Sequence, residues 1–169
     1  RRAYELGAAL YGAEDRNTAA LAMNLGTSLG RSNQGEQAVP VLQEAVSLFE
    51  QQDGKDALTL VDPLVELGHA ALQGAARGGH RKYYDRALGI IADKEGEDSL
   101  LYGDVAMEVG TQLVFRAQDR GGRRYLVRAH DIFETRVGPE DVRTGWAAFQ
   151  LGKYELAVGA LGRAEPYLL

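Results

Sequence analysis

Four glycines, Gly26, Gly68, Gly110 and Gly152, stand 42 residues apart, and each follows a large aliphatic residue: Leu25, Leu67, Val109 and Leu151. Three more columns keep the same interval with no gap. One is Ala3, Ala45, Ala87 and Ala129. The next is Leu6, Leu48, Ile90 and Ile132. The last is Gly12, Gly54, Gly96 and Gly138, each followed two residues later by an acid: Glu14, Asp56, Asp98 or Glu140. A chain that repeats itself this way builds one supersecondary unit several times. No copy can bury its apolar face alone, so the copies must stack.

Each repeat reads as two helices. Between Thr18 and Arg31, Leu21, Ala22, Leu25 and Leu29 recur at helical spacing. Gln34-Gly35 breaks the pattern. Between Gln37 and Gln51, Val41, Leu42, Ala45, Leu48 and Phe49 mark one face of a second helix. Gly54 ends it, because glycine tolerates the left-handed backbone found after a helix C-terminus. The acid that follows sits where a helix N-terminus favours negative charge. The pattern predicts a partial repeat 1–12, full repeats 13–54, 55–96 and 97–138, and a truncated repeat 139–169. Together they form one repeat domain of about eight or nine helices, expected to be a fragment of a longer protein. The glycine column implies a neighbour too close for a side chain, and the alanine column is expected to face it. The Gly- and Arg-rich turns 74–82 and 116–124 predict delayed or frayed helix starts. Pro63 either kinks a first helix near Val61–Asp62 or marks its start, with Asp62 as cap.

A hydrophobic share of 45% suffices for a core. The net charge of −5 argues against a general nucleic-acid binder. Without cysteine there is no disulfide framework and no thiolate metal site, and the compartment, cytoplasm or periplasm, stays open. No apolar run reaches the roughly 18 residues of a membrane helix, so no membrane insertion is expected.

Taken together, the residues resemble the tetratricopeptide repeat. That family pairs a Leu-Gly in its first helix with an Ala nineteen residues after the Gly, as in Gly26 to Ala45, Gly68 to Ala87 and Gly110 to Ala129. Its small residue opening the second helix matches Ala38 and Ala164, with His80 and Gly122 departing. Its large apolar residue four positions on matches Leu42, Tyr84, Leu126 and Leu168. The usual period is about 34. A period of 42 with acid-rich turns is similar to the kinesin-light-chain type, also common in bacterial proteins. The resemblance implies an all-α, right-handed superhelical solenoid of antiparallel helix pairs, with first helices lining a concave groove.

The resemblance places four columns in that groove: Ala20, Asp62, Asp104 and Trp146; Met23, Val65, Met107 and Phe149; Asn24, Glu66, Glu108 and Gln150; Thr27, His69, Thr111 and Lys153. It implies a protein- or peptide-binding scaffold. The acids Asp62, Glu66, Asp104 and Glu108 depart from the basic carboxylate clamp of chaperone-binding members. A second candidate surface is a basic edge of Arg77, Arg81, Lys82, Arg120, Arg123 and Arg124, set against the alternative of solvated turns and helix capping. His69, His80 and His130 fall in different columns and form no spaced metal motif. No phosphate cradle and no Ser or Cys nucleophile motif is present, so neither catalysis nor a cofactor is expected. A spacer that self-associates through exposed end helices, and a regulatory segment of a larger bacterial signalling or envelope protein, remain alternatives.

Overall fold

A computed structural model describes residues 2–73, 79–116 and 118–168. Among these, every regular element is helical. The α-helices are α1 (Arg2–Tyr11), α2 (Arg16–Arg31), α3 (Gly35–Asp53), α4 (Val61–Gln73), α5 (Arg81–Glu95), α6 (Leu100–Phe115), α7 (Arg123–Val137), α8 (Val142–Ala157) and α9 (Leu161–Leu168). The chain forms two compact units, Arg1–Ile90 and Ile91–Leu169. In the first, α2 packs on α1, α3 and α4; in the second, α6 packs on α7 and α8, and α8 on α7 and α9.

The turns between repeats are built alike. Gly12, Gly54, Gly96 and Gly138 have φ of 98°, 91°, 91° and 92°, a region that L side chains rarely adopt. The residue that caps the next helix is the one after the acidic column. The Asp15 carboxylate accepts from the Asn17 N–H, Ser99 Oγ from the Tyr102 N–H, and the Asp141 carboxylate from the Arg143 N–H. Ala57 holds the same place with extended backbone and has no side chain to cap with. Two first helices end in matching Schellman turns. Asn33 (φ 59°) lies between bonds from Asn33 N to Gly30 O and from Gln34 N to Leu29 O. Gly159 (φ 75°) lies between bonds from its own N to Leu156 O and from Ala160 N to Glu155 O. Asn33, not Gln34-Gly35, is therefore the breaker after α2, and Gly35 opens α3.

Pro63 lies in the first turn of α4, where its missing N–H loses no helical bond. A 3-10 turn, Leu58–Leu60, leads directly into α4. Asp62 is thus inside the helix and does not cap it. The delayed starts expected after the Gly-Arg turns are present. Helices α5 and α7 begin at Arg81 and Arg123, register equivalents of Val39, whereas α3 and α9 begin at Gly35 and Leu161.

The glycine notch has a different occupant from the one expected. A Cβ on Gly26 would collide with Leu42, on Gly68 with Tyr84, on Gly110 with Leu126 (2.8 Å from Cγ) and on Gly152 with Leu168. The facing group is the large apolar residue of the second helix, not alanine. Ala45, Ala87 and Ala129 are fully buried elsewhere in the packing. The reason is volume: an absent side chain makes room for a whole Leu or Tyr, whose burial stabilises by about 1.5–3 kcal/mol. Gly122 is a further close approach, 2.6 Å for an added Cβ from Leu113 Cβ, so even the family's Ala would crowd there.

Candidate partner-binding faces

In the first unit the candidate face lies on α2 and α4. Met23 and Thr27 are half-buried, and Asn24 and Asp62 are exposed. Val65 is only 4% exposed and offers a partner almost no surface. Glu66 is half-buried, and burial pushes its carboxyl above the usual glutamate value. Arg31 pulls it back, Asp62 adds to the rise, and the Thr27 hydroxyl opposes it weakly. His69 meets the buried Tyr84 ring edge-on at 5.7 Å, and His80 meets the same ring at 6.1 Å. Large His80 thus stands where other repeats carry Ala38, Gly122 and Ala164.

In the second unit the face lies on α6 and α8. Asp104 and Glu108 are exposed, and Met107 and Thr111 half-buried. Trp146 and Phe149 are 49% and 44% exposed. Their rings lie 5.5 Å apart at 31°. Valine, tryptophan, phenylalanine, lysine and leucine at 142, 146, 149, 153 and 156 follow helical spacing, so α8 carries one exposed stripe. The Lys153 ammonium sits over the rings of Phe115 (4.4 Å) and Phe149 (5.5 Å). Gln150 is 5% exposed, and its Oε1 is buried with no hydrogen-bond partner. Beneath this face lies a cluster of Val114, Leu126, Leu151 and Tyr154, with Met107 and Phe115 packed against it.

The basic residues are largely committed to their own units. Arg77 lies outside the described residues. Arg81 is half-buried, and Arg120 is exposed. Lys82 stands over the Tyr83 ring at 4.7 Å. Arg124 donates to the Tyr125 hydroxyl (2.7 Å) and covers its ring. Arg123 Nε donates to Glu155 Oε1 at 2.5 Å, while Arg163 Nε donates to Glu155 Oε2 at 2.9 Å. Glu155 is fully buried. Burial is the largest influence on it and pushes its carboxyl up. The two guanidinium bonds and their charges together outweigh it and hold the carboxyl below the usual range. Spacing gave no reason to single out Glu155 or Phe115. One signal was available for Glu155: its register equivalents, Leu29, Ala71 and Leu113, are all apolar.

Among the described residues, no group of three or more His, Cys, Asp or Glu is placed to hold a metal ion, and no helix is long and apolar enough to cross a membrane. No family model matches the chain, and no curated protein matches it. Among solved structures it is similar to the crystal structure of BtubC (BKLC) from P. vanneervenii, with a TM-score of 0.73 and 18% identity over 91% of this chain. The chain spans 62% of the length of that one. The likeness is one of fold, and the fold is of the kinesin-light-chain-like tetratricopeptide-repeat type.

Proposed function

We propose that the chain is a non-catalytic module that binds a protein or peptide through the first-helix faces of its units. The observation that carries this reading is the adjacent pair Trp146 and Phe149, each nearly half exposed on a helix whose opposite side fills the core. Large aromatics are the side chains that most often anchor a partner, and folds of this type generally serve protein interaction. Affinity capture with the wild-type chain and with a variant carrying Asp104→Lys and Phe149→Ala tests it. Both positions are exposed, so the variant keeps its fold, and a specifically captured protein should be lost. Capture unchanged by the double substitution overturns the reading.

A second reading, self-association through end helices, has its own support. Leu6 is 60% exposed, whereas its register equivalents Leu48, Ile90 and Ile132 are 7%, 4% and 2% exposed. Leu10 (74%) and Leu161 (69%) are also open. A concentration-dependent mass in sedimentation equilibrium that disappears on Leu6→Glu and Leu10→Glu supports it. A monomer at all concentrations removes it.

A further inference from the structure

This inference rests on the partner-binding reading and names the chemistry that the face of the second unit takes. The Lys153 ammonium lies 4.4 Å from the centre of the Phe115 ring and 5.5 Å from that of Phe149. Two rings against one ammonium form a cation site, and a cation over a ring face is held by the ring quadrupole. The chain fills that site with its own side chain. Lys153 is exposed on α8, yet its amine reaches to the last residue of α6. No other repeat places a lysine or arginine here; the equivalents are Thr27, His69 and Thr111.

The same α6–α8 face carries two carboxylates, which favour a cationic partner. Asp104 and Glu108 stand one turn apart on α6. The Asp104 carboxyl is pushed up by partial burial, against the pull of Arg143. Ring faces and carboxylates have one complement in common: a cation rich in donors and without an acceptor. Arginine and lysine side chains fit that description, and arginine also stacks flat on rings.

We propose that the α6–α8 face binds a peptide through a basic side chain, arginine foremost, which takes the place of Lys153 between Phe115 and Phe149. Lys153 is then a resident competitor. It keeps the ring faces covered in the free chain and swings into water when the partner's cation enters. Removing it strengthens binding by the factor that its own ring contacts represent, about two- to fivefold for an exposed cation–ring contact.

Trp146 is the only tryptophan in the chain and reports on this face. The test titrates the 169-residue protein with three short acetylated, amidated peptides, identical except for arginine, glutamine or glutamate at the centre. Trp146 fluorescence is followed, alongside titrations of Lys153→Gln and Phe149→Ala. The arginine peptide should bind tightest and the glutamate peptide weakest. Lys153→Gln should tighten the arginine peptide about two- to fivefold and leave the glutamine peptide almost unchanged. Phe149→Ala should remove the arginine preference. If the glutamate peptide binds best, or Lys153→Gln weakens the arginine peptide, Lys153 contacts the partner directly. The basic-occupant proposal then fails while the peptide-binding reading stands. If none of the three peptides perturbs Trp146, the basic-occupant proposal fails, and the capture experiment decides the partner-binding reading separately.

Discussion

Glu66 in the first unit and Glu155 in the second are both carboxylates drawn away from water, yet they shift in opposite directions. Glu66 is half-buried, and Arg31 does not make up for what burial costs it. Glu155 is fully buried but receives two guanidinium bonds, from Arg123 and Arg163, which tie α7, α8 and α9 together. Depth of burial therefore does not decide the state of these groups; the number and geometry of donors does. The same contrast runs through the packing. The Gly68–Tyr84 notch of the first unit is an apolar fit. The end of the second unit adds an ionic clasp where its sister repeats have Leu29, Ala71 and Leu113.

The largest expected effect comes from breaking the clasp asymmetrically. Arg123→Met leaves a buried carboxylate with Arg163 alone, and Arg163 is 63% exposed. The second unit should lose about 3 kcal/mol, the low end for a broken buried pair. Glu155→Leu should cost no more than about 1 kcal/mol, because both arginines are open enough to turn to solvent and Leu suits the column. Urea denaturation followed by circular dichroism measures both. Equal losses would mean that the clasp is no more than packing, and the contrast with Glu66 would fall.

The next effect tests the apolar side of the comparison. Gly68→Ala places a methyl group against the Tyr84 ring, which is fully buried and has nowhere to move. It should destabilise by about 1–3 kcal/mol. Gly145→Ala on α8 meets nothing within 4 Å. It should stabilise by up to about 1 kcal/mol through helix propensity alone. Thermal melting of the two variants separates a glycine that makes room from one that does not.

These two glycines also show what the sequence makes legible. Period and spacing reveal that Gly68 is a notch, because its column holds a glycine in all four copies. They do not reveal that the opposing group is Tyr84, because a repeat sets every column at the same interval and cannot say which two columns meet. The helix pairs, the left-handed turns and the delayed starts of α5 and α7 follow from local residue preferences, and local preferences are readable. Glu155, the Lys153–Phe115 contact and the burial of Val65 and Gln150 depend on where neighbouring helices lie. A lone sequence carries that only as an anomaly, such as one acid in a column of leucines.

A smaller effect compares the caps of α2, α4 and α6. Asp15 and Ser99 cap α2 and α6, while Ala57 holds the equivalent place before α4 with suitable extended backbone and no acceptor. Ala57→Asp should stabilise the first unit by about 1 kcal/mol. Asp15→Ala should destabilise it by a similar amount. If Ala57→Asp gains nothing, the 3-10 turn Leu58–Leu60 already serves its donors, and α4 begins differently from α2 and α6.

The smallest effect returns to the carboxylates. Glu155 has a depressed carboxyl in the folded chain. Its contribution to stability is complete above the ordinary glutamate value and is lost as pH falls through the folded value. Glu66 has a raised carboxyl, so the folded chain holds that proton more readily than the unfolded one. Its penalty is present at neutral pH and is relieved as pH falls through the raised value toward the ordinary one. Mild acidification should first steady the first unit slightly and then, further down, weaken the second. Glu66→Gln should change stability at neutral pH by no more than about 0.5 kcal/mol, in the stabilising direction, and should flatten the upper part of the pH profile. Glu155→Leu should flatten only the lower part. A Glu66→Gln profile that still rises on mild acidification would place the proton elsewhere, with Asp104, also raised by burial, as the group to substitute next.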